Sequence, residues 1–330
     1  MNKILNNILE AVGGTPMIRL NRLPGPDDAE VLVKFEGLCA GGSVKSRTAL
    51  SIIETAEREG LIRPGYSILT ECTTGNQGVG IAFVSAVKGY KAAIAIPENY
   101  GGERIKIMKA YGAKVMVTPV GVDQTQTILR CREACAELKA RYPDRVLWLQ
   151  QFRNQANPKA HRQRTAAEIL YQTDGKLDAF VHSIGTSGTF GGISVTLKSA
   201  VPDIKLYTAE PYAGALEAAG RRDLHCQQGI GDGQPVRFLD RSLIDGYLTV
   251  TDEEAYETAR RLAREEGILG GISSGTSVHA ALQVARELGK GKRVVTICAS
   301  NGERYMQTDL WDVAEEDWGL DLPVVKRDQG

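Results

Sequence analysis

Short apolar runs rich in β-branched residues alternate along the chain with longer stretches whose apolar positions recur every three or four residues. The short runs predict strands over 67–71, 92–96, 114–118, 145–149, 179–183, 205–210 and 293–298. The longer stretches predict helices over 48–58, 79–88, 102–111, 124–141, 159–172, 191–199, 251–266 and 276–288. The strands are apolar at successive positions, not at every second one, as expected where both faces of a sheet are covered. Strand and helix taking turns in this way imply a parallel sheet with helices on both faces. Thr251, Asp252 and Glu254 supply an N-cap and an acidic first turn for the helix that follows. Residues 227–240 are glycine-rich and follow neither period, and the tail after Trp318 reads as peripheral.

With 330 residues the chain exceeds the roughly 250–300 at which a single core stops growing, so two lobes around one site are expected. Forty Lys and Arg balance forty Asp and Glu, and this neutrality argues against nucleic acid or an anionic membrane as partner. No apolar run approaches the roughly 18 residues of a membrane span. Asn6, Asn7 and Glu10 interrupt the beginning of the chain where a secretory signal needs an apolar stretch, so a cytoplasmic protein is expected. Six cysteines, at 39, 72, 131, 135, 226 and 298, follow no paired spacing and are expected to be reduced. Cys131 and Cys135 lie one helical turn apart with no histidine nearby, which favours helix packing over metal binding. His161, His182, His225 and His279 form no H-x-x-x-H pair, and no metal site is expected.

In open parallel sheets ligands bind beyond the carboxyl ends of the strands, so strand-then-glycine turns are the places to look for chemistry. One is Thr73-Thr74-Gly75-Asn76-Gln77-Gly78, after the strand ending at Glu71. Another is Gly185-Thr186-Ser187-Gly188-Thr189, after the strand ending at Ser183. Backbone N–H groups freed by glycine at a helix start make an anion site, to which the Thr and Ser hydroxyls add donors. Neither turn matches G-x-G-x-x-G, and no G-x-x-x-x-G-K-[ST] occurs, so dinucleotide and ATP readings lose weight. Gly41-Gly42-Ser43-Val44-Lys45-Ser46-Arg47 places a lysine between glycines and a helical run. Such a lysine is either an exposed helix-start charge or a buried amine able to form a Schiff base.

In order and spacing these motifs resemble the cysteine synthase and cystathionine β-synthase family of fold type II pyridoxal phosphate enzymes. The likeness runs from about Ile8 to Leu310 and includes Gly13-Gly14-Thr15-Pro16, the two turns, Gln150-Gln151-Phe152, Asn157-Pro158, Glu210-Pro211, Gly271-Ile272-Ser273-Ser274-Gly275 and Gly302-Glu303-Arg304-Tyr305. The resemblance implies an α/β fold of two doubly wound parallel-sheet domains. A larger cofactor-binding domain would comprise 1–42 and 148–330, and a smaller mobile one 43–147. It further implies that Lys45 holds pyridoxal 5'-phosphate as an internal aldimine and that Gly185, Thr186, Ser187, Gly188 and Thr189 cradle its phosphate. Asn76 would meet the cofactor's 3-hydroxyl, and Ser273 its ring nitrogen. Thr73, Thr74, Gly75 and Gln77, helped by Gln151, would grip the substrate carboxylate.

The activity implied is β-replacement on O-acetylserine or O-phosphoserine through an α-aminoacrylate, most simply with sulfide to give cysteine, by a homodimer. Elimination from serine, threonine or cysteine, replacement by an amine or another thiol, and a non-catalytic subunit of a complex are the rivals. Cys39-Ala40 stands where the family has Asn-Pro, Ser46 where it has Asp or Glu, and Thr74 and Gln77 differ in the loop facing the substrate. Asp232 replaces a small residue in the glycine-rich stretch. As a turn residue it is unremarkable, yet it or Gln77 would favour an amine-bearing or otherwise polar second substrate.

Overall fold

A computed structural model describes residues 4–314, which leaves the tail after Trp318 outside the described residues. The strands are β1 (Met17–Arg19), β2 (Glu30–Phe35), β3 (Ile68–Cys72), β4 (Lys91–Pro97), β5 (Lys114–Thr118), β6 (Val146–Trp148), β7 (Ala179–Ser183), β8 (Lys205–Pro211), β9 (Gly246–Val250) and β10 (Arg293–Cys298). They form a six-stranded sheet, β1-β2-β10-β7-β8-β9, and a four-stranded sheet, β5-β4-β3-β6. Every pairing is parallel except that of β1 with β2 at the edge, where Met17 faces Lys34.

The helices are α1 (Lys45–Arg58), α2 (Asn76–Lys88), α3 (Gly102–Ala110), α4 (Gln124–Arg141), α5 (Ala156–Ala160), α6 (Ala166–Thr173), α7 (Gly188–Ala200), α8 (Leu216–Ala219), α9 (Asp252–Glu266) and α10 (Ile272–Leu288). Alternate residues of each strand of the larger sheet feed different cores, because successive side chains point to opposite faces. Val31, Val33, Val181 and Val294 join α9 and α10 in one core. Leu32, Phe180, Leu206 and Val295 join α6 and α7 in the other. In the smaller sheet Leu69, Ile94 and Ile96 pack with α1 and α2, while Cys72 and Ala95 meet Ile128, Cys131 and Cys135 of α4. Cys131 and Cys135 are therefore packing residues.

Three differences from the periodic pattern have physical causes. The stretch 159–172 is not one helix: a π-helical turn, His161–Thr165, separates α5 from α6. Strand β2 escapes the pattern because it carries Lys34, which is wholly buried and bonded to Glu168 at 2.7 Å. Edge strands β1 and β9 are short and half-buried, so they lack a strong apolar signal. The N-cap of α9 is as read from sequence: Thr251 and Glu254 form a capping box.

Four helices also begin earlier than their apolar period. Helices α1, α2, α7 and α10 start at Lys45, Asn76, Gly188 and Ile272, adding a polar or glycine-bearing first turn ahead of the amphipathic part. These four first turns surround one cavity.

Candidate active site

The cavity lies beyond the carboxyl ends of β3, β7 and β10 and is lined by segments that follow strands of both sheets. Eleven of the residues expected from sequence line it: Lys45, Thr73, Thr74, Asn76, Gln77, Gln151, Gly185, Thr186, Ser187, Thr189 and Ser273. Gly75 and Gly188 do not line it. They shape the backbone behind it: Gly75 has φ 143°, and a methyl group at Gly188 would collide with Asn157.

Lys45 opens α1, immediately after Gly41 and Gly42, whose φ values of 83° and 76° lie in the left-handed region. Its side chain projects into the cavity and keeps partial exposure there. Burial lowers the amine pKa, with Asp232 opposing the shift, and a lowered pKa leaves more of the amine neutral and nucleophilic. The helix is held by charges on its far side. Arg47 donates to Glu36 at 2.8 Å and to Glu168 at 2.6 Å. Thr15 donates to Glu36 at 2.6 Å and accepts from Lys34 through its carbonyl at 2.6 Å, so the Gly13-Gly14-Thr15-Pro16 motif belongs to this brace.

The 185–189 turn leads from β7 into α7, with Ser187 left-handed at φ 63°. The first N–H groups of α7 have no intrahelical partner and are turned to the cavity end of the helix. Asn157 donates to Thr186 Oγ1 at 3.1 Å, and Thr189 Oγ1 meets His161 Nε2 at 3.4 Å. Ser187 uses its hydroxyl structurally, donating to the Thr186 carbonyl at 2.6 Å and accepting from Phe238 N at 3.2 Å.

In the 73–77 loop, Thr73 Oγ1 accepts from Gly75 N at 2.9 Å and so closes the turn. Gln151 donates to the Cys72 carbonyl at 2.9 Å while its backbone N–H donates to Glu71, which fixes the end of β3. Gln77 is 1% exposed, and neither atom of its amide has a hydrogen-bond partner. Asn76 donates to Tyr305 Oη at 3.2 Å and accepts from Arg304 at 3.1 Å.

Beyond the expected set, His182 carried no sequence signal, while Asp232 is the candidate singled out above. His182 lines the cavity, and burial followed by the nearby Lys45 charge holds its imidazole down to about 3, so it is neutral. Its Nδ1 lies 3.2 Å from Ser277 Oγ, which donates to Ser183 at 2.8 Å. Gln228, Gly229 and Ile230 close the opposite wall. Only a glycine run hinted at them. Asp232 reaches the cavity, 8% exposed, and its Oδ1 has no hydrogen-bond partner. Burial lifts its carboxyl to about 6, against the pull of Lys45.

A lone amine of lowered pKa, a helix-start anion cradle and unpaired amide and carboxyl groups fit an aldehyde-bearing cofactor with a phosphate arm. The residues present therefore suit pyridoxal phosphate. Residues 8–300 match the family described as pyridoxal-phosphate dependent enzyme, and the chain belongs to it. Within that family it is a cysteine synthase relative. It is 44% identical over 310 residues to a cysteine synthase of Staphylococcus aureus (strain Mu50 / ATCC 700699), covering 94% of this chain and 98% of that one. Its fold matches O-ureido-L-serine synthase with TM-score 0.88 at 38% identity, covering 95% of this chain and 97% of the other. A hydrogen sulfide-producing enzyme from Fusobacterium nucleatum matches with TM-score 0.87 at 38% identity, covering 92% and 100%. The protein is thus a pyridoxal-phosphate dependent enzyme. No helix among the described residues is long and apolar enough to cross a membrane.

Proposed function

We propose that this chain makes cysteine by replacing the Cβ substituent of an activated serine, O-acetylserine or O-phosphoserine, with sulfide. The observation that carries the reading is Lys45: a half-buried amine at a helix start, sharing one cavity with the 185–189 anion cradle. When bound, pyridoxal phosphate supplies the electron sink that acidifies the Cα proton and lets the Cβ substituent leave. Lys45 attaches the cofactor and, once freed, takes the Cα proton as a neutral amine. The N–H groups of 185–189, with the Thr186 and Thr189 hydroxyls, would hold the phosphate, Asn76 would meet the 3-hydroxyl, and Ser273 would offer the ring nitrogen a neutral hydroxyl. Thr73, Thr74 and Gln77 bind the substrate carboxylate, with the unpaired Gln77 amide as a free donor, Gly75 shaping the loop behind them and Gln151 bracing it.

In the same reading 43–147 moves as a small domain against 1–42 and 148–330, closing the carboxylate loop and excluding water. The enzyme works as a cytoplasmic homodimer. Purified protein mixed with O-acetylserine or O-phosphoserine and sulfide is expected to yield cysteine. Lys45→Ala is expected to lose the cofactor's visible absorption and at least about 10³-fold in rate, the scale of removing an acid–base and covalent group. Full activity in that variant would sink the reading.

Asp232 favours a second acceptor class. Its unpaired carboxyl oxygen beside Lys45 suits an incoming amine or thiol that must be bound and deprotonated. A panel of acceptors would separate the two: coupling of an amino-bearing acceptor that is lost in Asp232→Asn, with sulfide still used, would establish the broader specificity.

A further inference from the structure

His182 stands near the end of β7, lines the cavity, and has no role in the reading above. It is 4% exposed, with its ring 6.3 Å from that of Phe180, which in turn stacks on Phe190. The hydrogen bonds around Nδ1 decide where the imidazole proton sits. The Ser183 hydroxyl donates to the Ser273 carbonyl at 3.5 Å, an oxygen that can only accept. Ser183 Oγ therefore accepts from the Ser277 hydroxyl at 2.8 Å, which spends the Ser277 proton. The other neighbours of Ser277 Oγ are the Ser183 N–H at 3.1 Å and His182 Nδ1 at 3.2 Å, and both must donate into its two lone pairs. The network thus places the imidazole proton on Nδ1.

Burial and the Lys45 charge keep the ring neutral, so Nε2 carries a bare lone pair. Nε2 has no hydrogen-bond partner among the described residues. An acceptor left unpaired in a buried place is costly, so its donor comes from within the cavity. Lys45 answers that need from the other side: its amine lines the same cavity and has no hydrogen-bond partner among the described residues. After burial, Lys45 is also the group that acts on the imidazole. The hydroxyls of Ser187 and Thr189 are engaged with the Thr186 carbonyl and His161. The donors of 73–77 and the Ser273 hydroxyl have other duties in the reading above.

We propose that His182 is a positioning residue for Lys45, its Nε2 accepting a hydrogen bond from the amine whenever the amine is free of the cofactor. The inference rests on the β-replacement reading and adds how the base of that reaction is aimed. A neutral amine has two N–H bonds and one lone pair, so giving one N–H to a fixed acceptor points the lone pair. The proton passes from Cα to Lys45 Nζ and no further. The ammonium so formed keeps His182 as its partner in a charge-assisted bond. His182, with its imidazole held down to about 3, serves as acceptor and not as base.

Two measurements test this. NMR of the holoenzyme with isotope-labelled histidine has only four imidazoles to assign. His182 is expected to be neutral near neutral pH, with Nδ1 protonated and Nε2 bare; a protonated Nε2 overturns the inference. The second measurement is single-turnover cleavage of the Cα–H bond of O-acetylserine or O-phosphoserine, identified by its slowing with the α-deuterated donor. His182→Leu removes the acceptor and is expected to slow this step roughly 10- to 100-fold, the scale of a charged hydrogen bond, with little change in donor KM. His182→Gln returns an acceptor oxygen near the Nε2 position and is expected to recover most of the rate. Equal rates in the two variants, or a Leu variant as fast as wild type, make His182 a packing residue of the cavity wall and overturn the inference. Wild-type protein that cleaves no Cα–H bond defeats the β-replacement reading and the inference with it, whereas normal cleavage with Nε2 protonated defeats the inference alone. Should both variants fail to fold, the tautomer in the wild type decides the matter.

Discussion

Arg47 and Arg104 are buried to the same extent, each 3% exposed, but they are solvated by the protein in opposite ways. Arg47 sits between Glu36 and Glu168, with Lys34 and Thr15 completing the set, so its charge is neutralised inside the fold. Arg104 meets an amide oxygen and an aromatic face, and its neighbour Arg304 meets an amide and a peptide carbonyl. The first arrangement holds up the helix that carries Lys45 and needs nothing further. The second leaves the charge with neutral partners only. Burial alone does not tell how a cation is compensated; the identity of its partners does.

The contrast is sharpest in stability. Arg47→Met strips the charge partner from the fully buried Glu36 and is expected to destabilise by about 3–5 kcal/mol, as breaking a buried pair does. Arg104→Met leaves no acid behind and is expected to be nearly neutral or stabilising, within about 1–2 kcal/mol. Urea unfolding of the two variants side by side checks both, and equal losses would erase the distinction.

The pH profile separates the regions by sign. Burial pushes the Glu168 carboxyl up, but Arg47 and Lys34 overcome it and hold it at about 2, below its ordinary 4.5. A depressed pKa gives stability that is complete above pH 4.5 and is lost as pH falls toward 2. Asp232 is the reverse: its carboxyl is raised from 3.8 to about 6, so the folded state holds the proton more tightly and stability declines as pH rises across that interval. Melting curves of Glu168→Gln and Asp232→Asn across pH 2–8 are expected to flatten the acid limb and the near-neutral limb respectively. A Glu168→Gln variant with an unchanged acid limb would contradict the first assignment.

The smallest effect belongs on the surface. Arg141 and Glu137 pair across one turn of α4 with side chains 63% and 70% exposed. Arg141→Ala is expected to change stability by no more than about 0.5 kcal/mol. A larger loss in the same unfolding assay would mean that exposure, too, is a poor guide to the worth of a charge pair in this protein.

Much of the architecture was legible because parallel strands covered on both faces are written as continuous apolar runs. Strands 114–118, 179–183 and 293–298 and helix 124–141 come out with the boundaries the pattern predicts. Strand β2 did not, since a lysine inside a strand looks like a surface residue until Glu168, far along the chain, is placed against it. The early helix starts at Lys45, Asn76, Gly188 and Ile272 were hidden for a related reason. Their first turns face the cavity, so they carry glycine and polar groups in place of the apolar period by which helices are recognised.

Sequence by itself determined the alternation of strand and helix and the local chemistry of each glycine turn, because backbone preferences and apolar periodicity act over a few residues. It also marked Lys45 and the 185–189 turn as a pair worth joining. Only the tertiary structure decided which buried charges meet an acid and which meet neutral groups. Arg47, Arg104 and Arg304 are the same residue type in equally polar surroundings along the chain, and what differs is the company brought in from distant segments: Glu36 and Glu168 for one, Gln228, Asn76 and Tyr305 for the others. Electrostatic pairing works through space at a few ångströms, and the chain order does not record those distances.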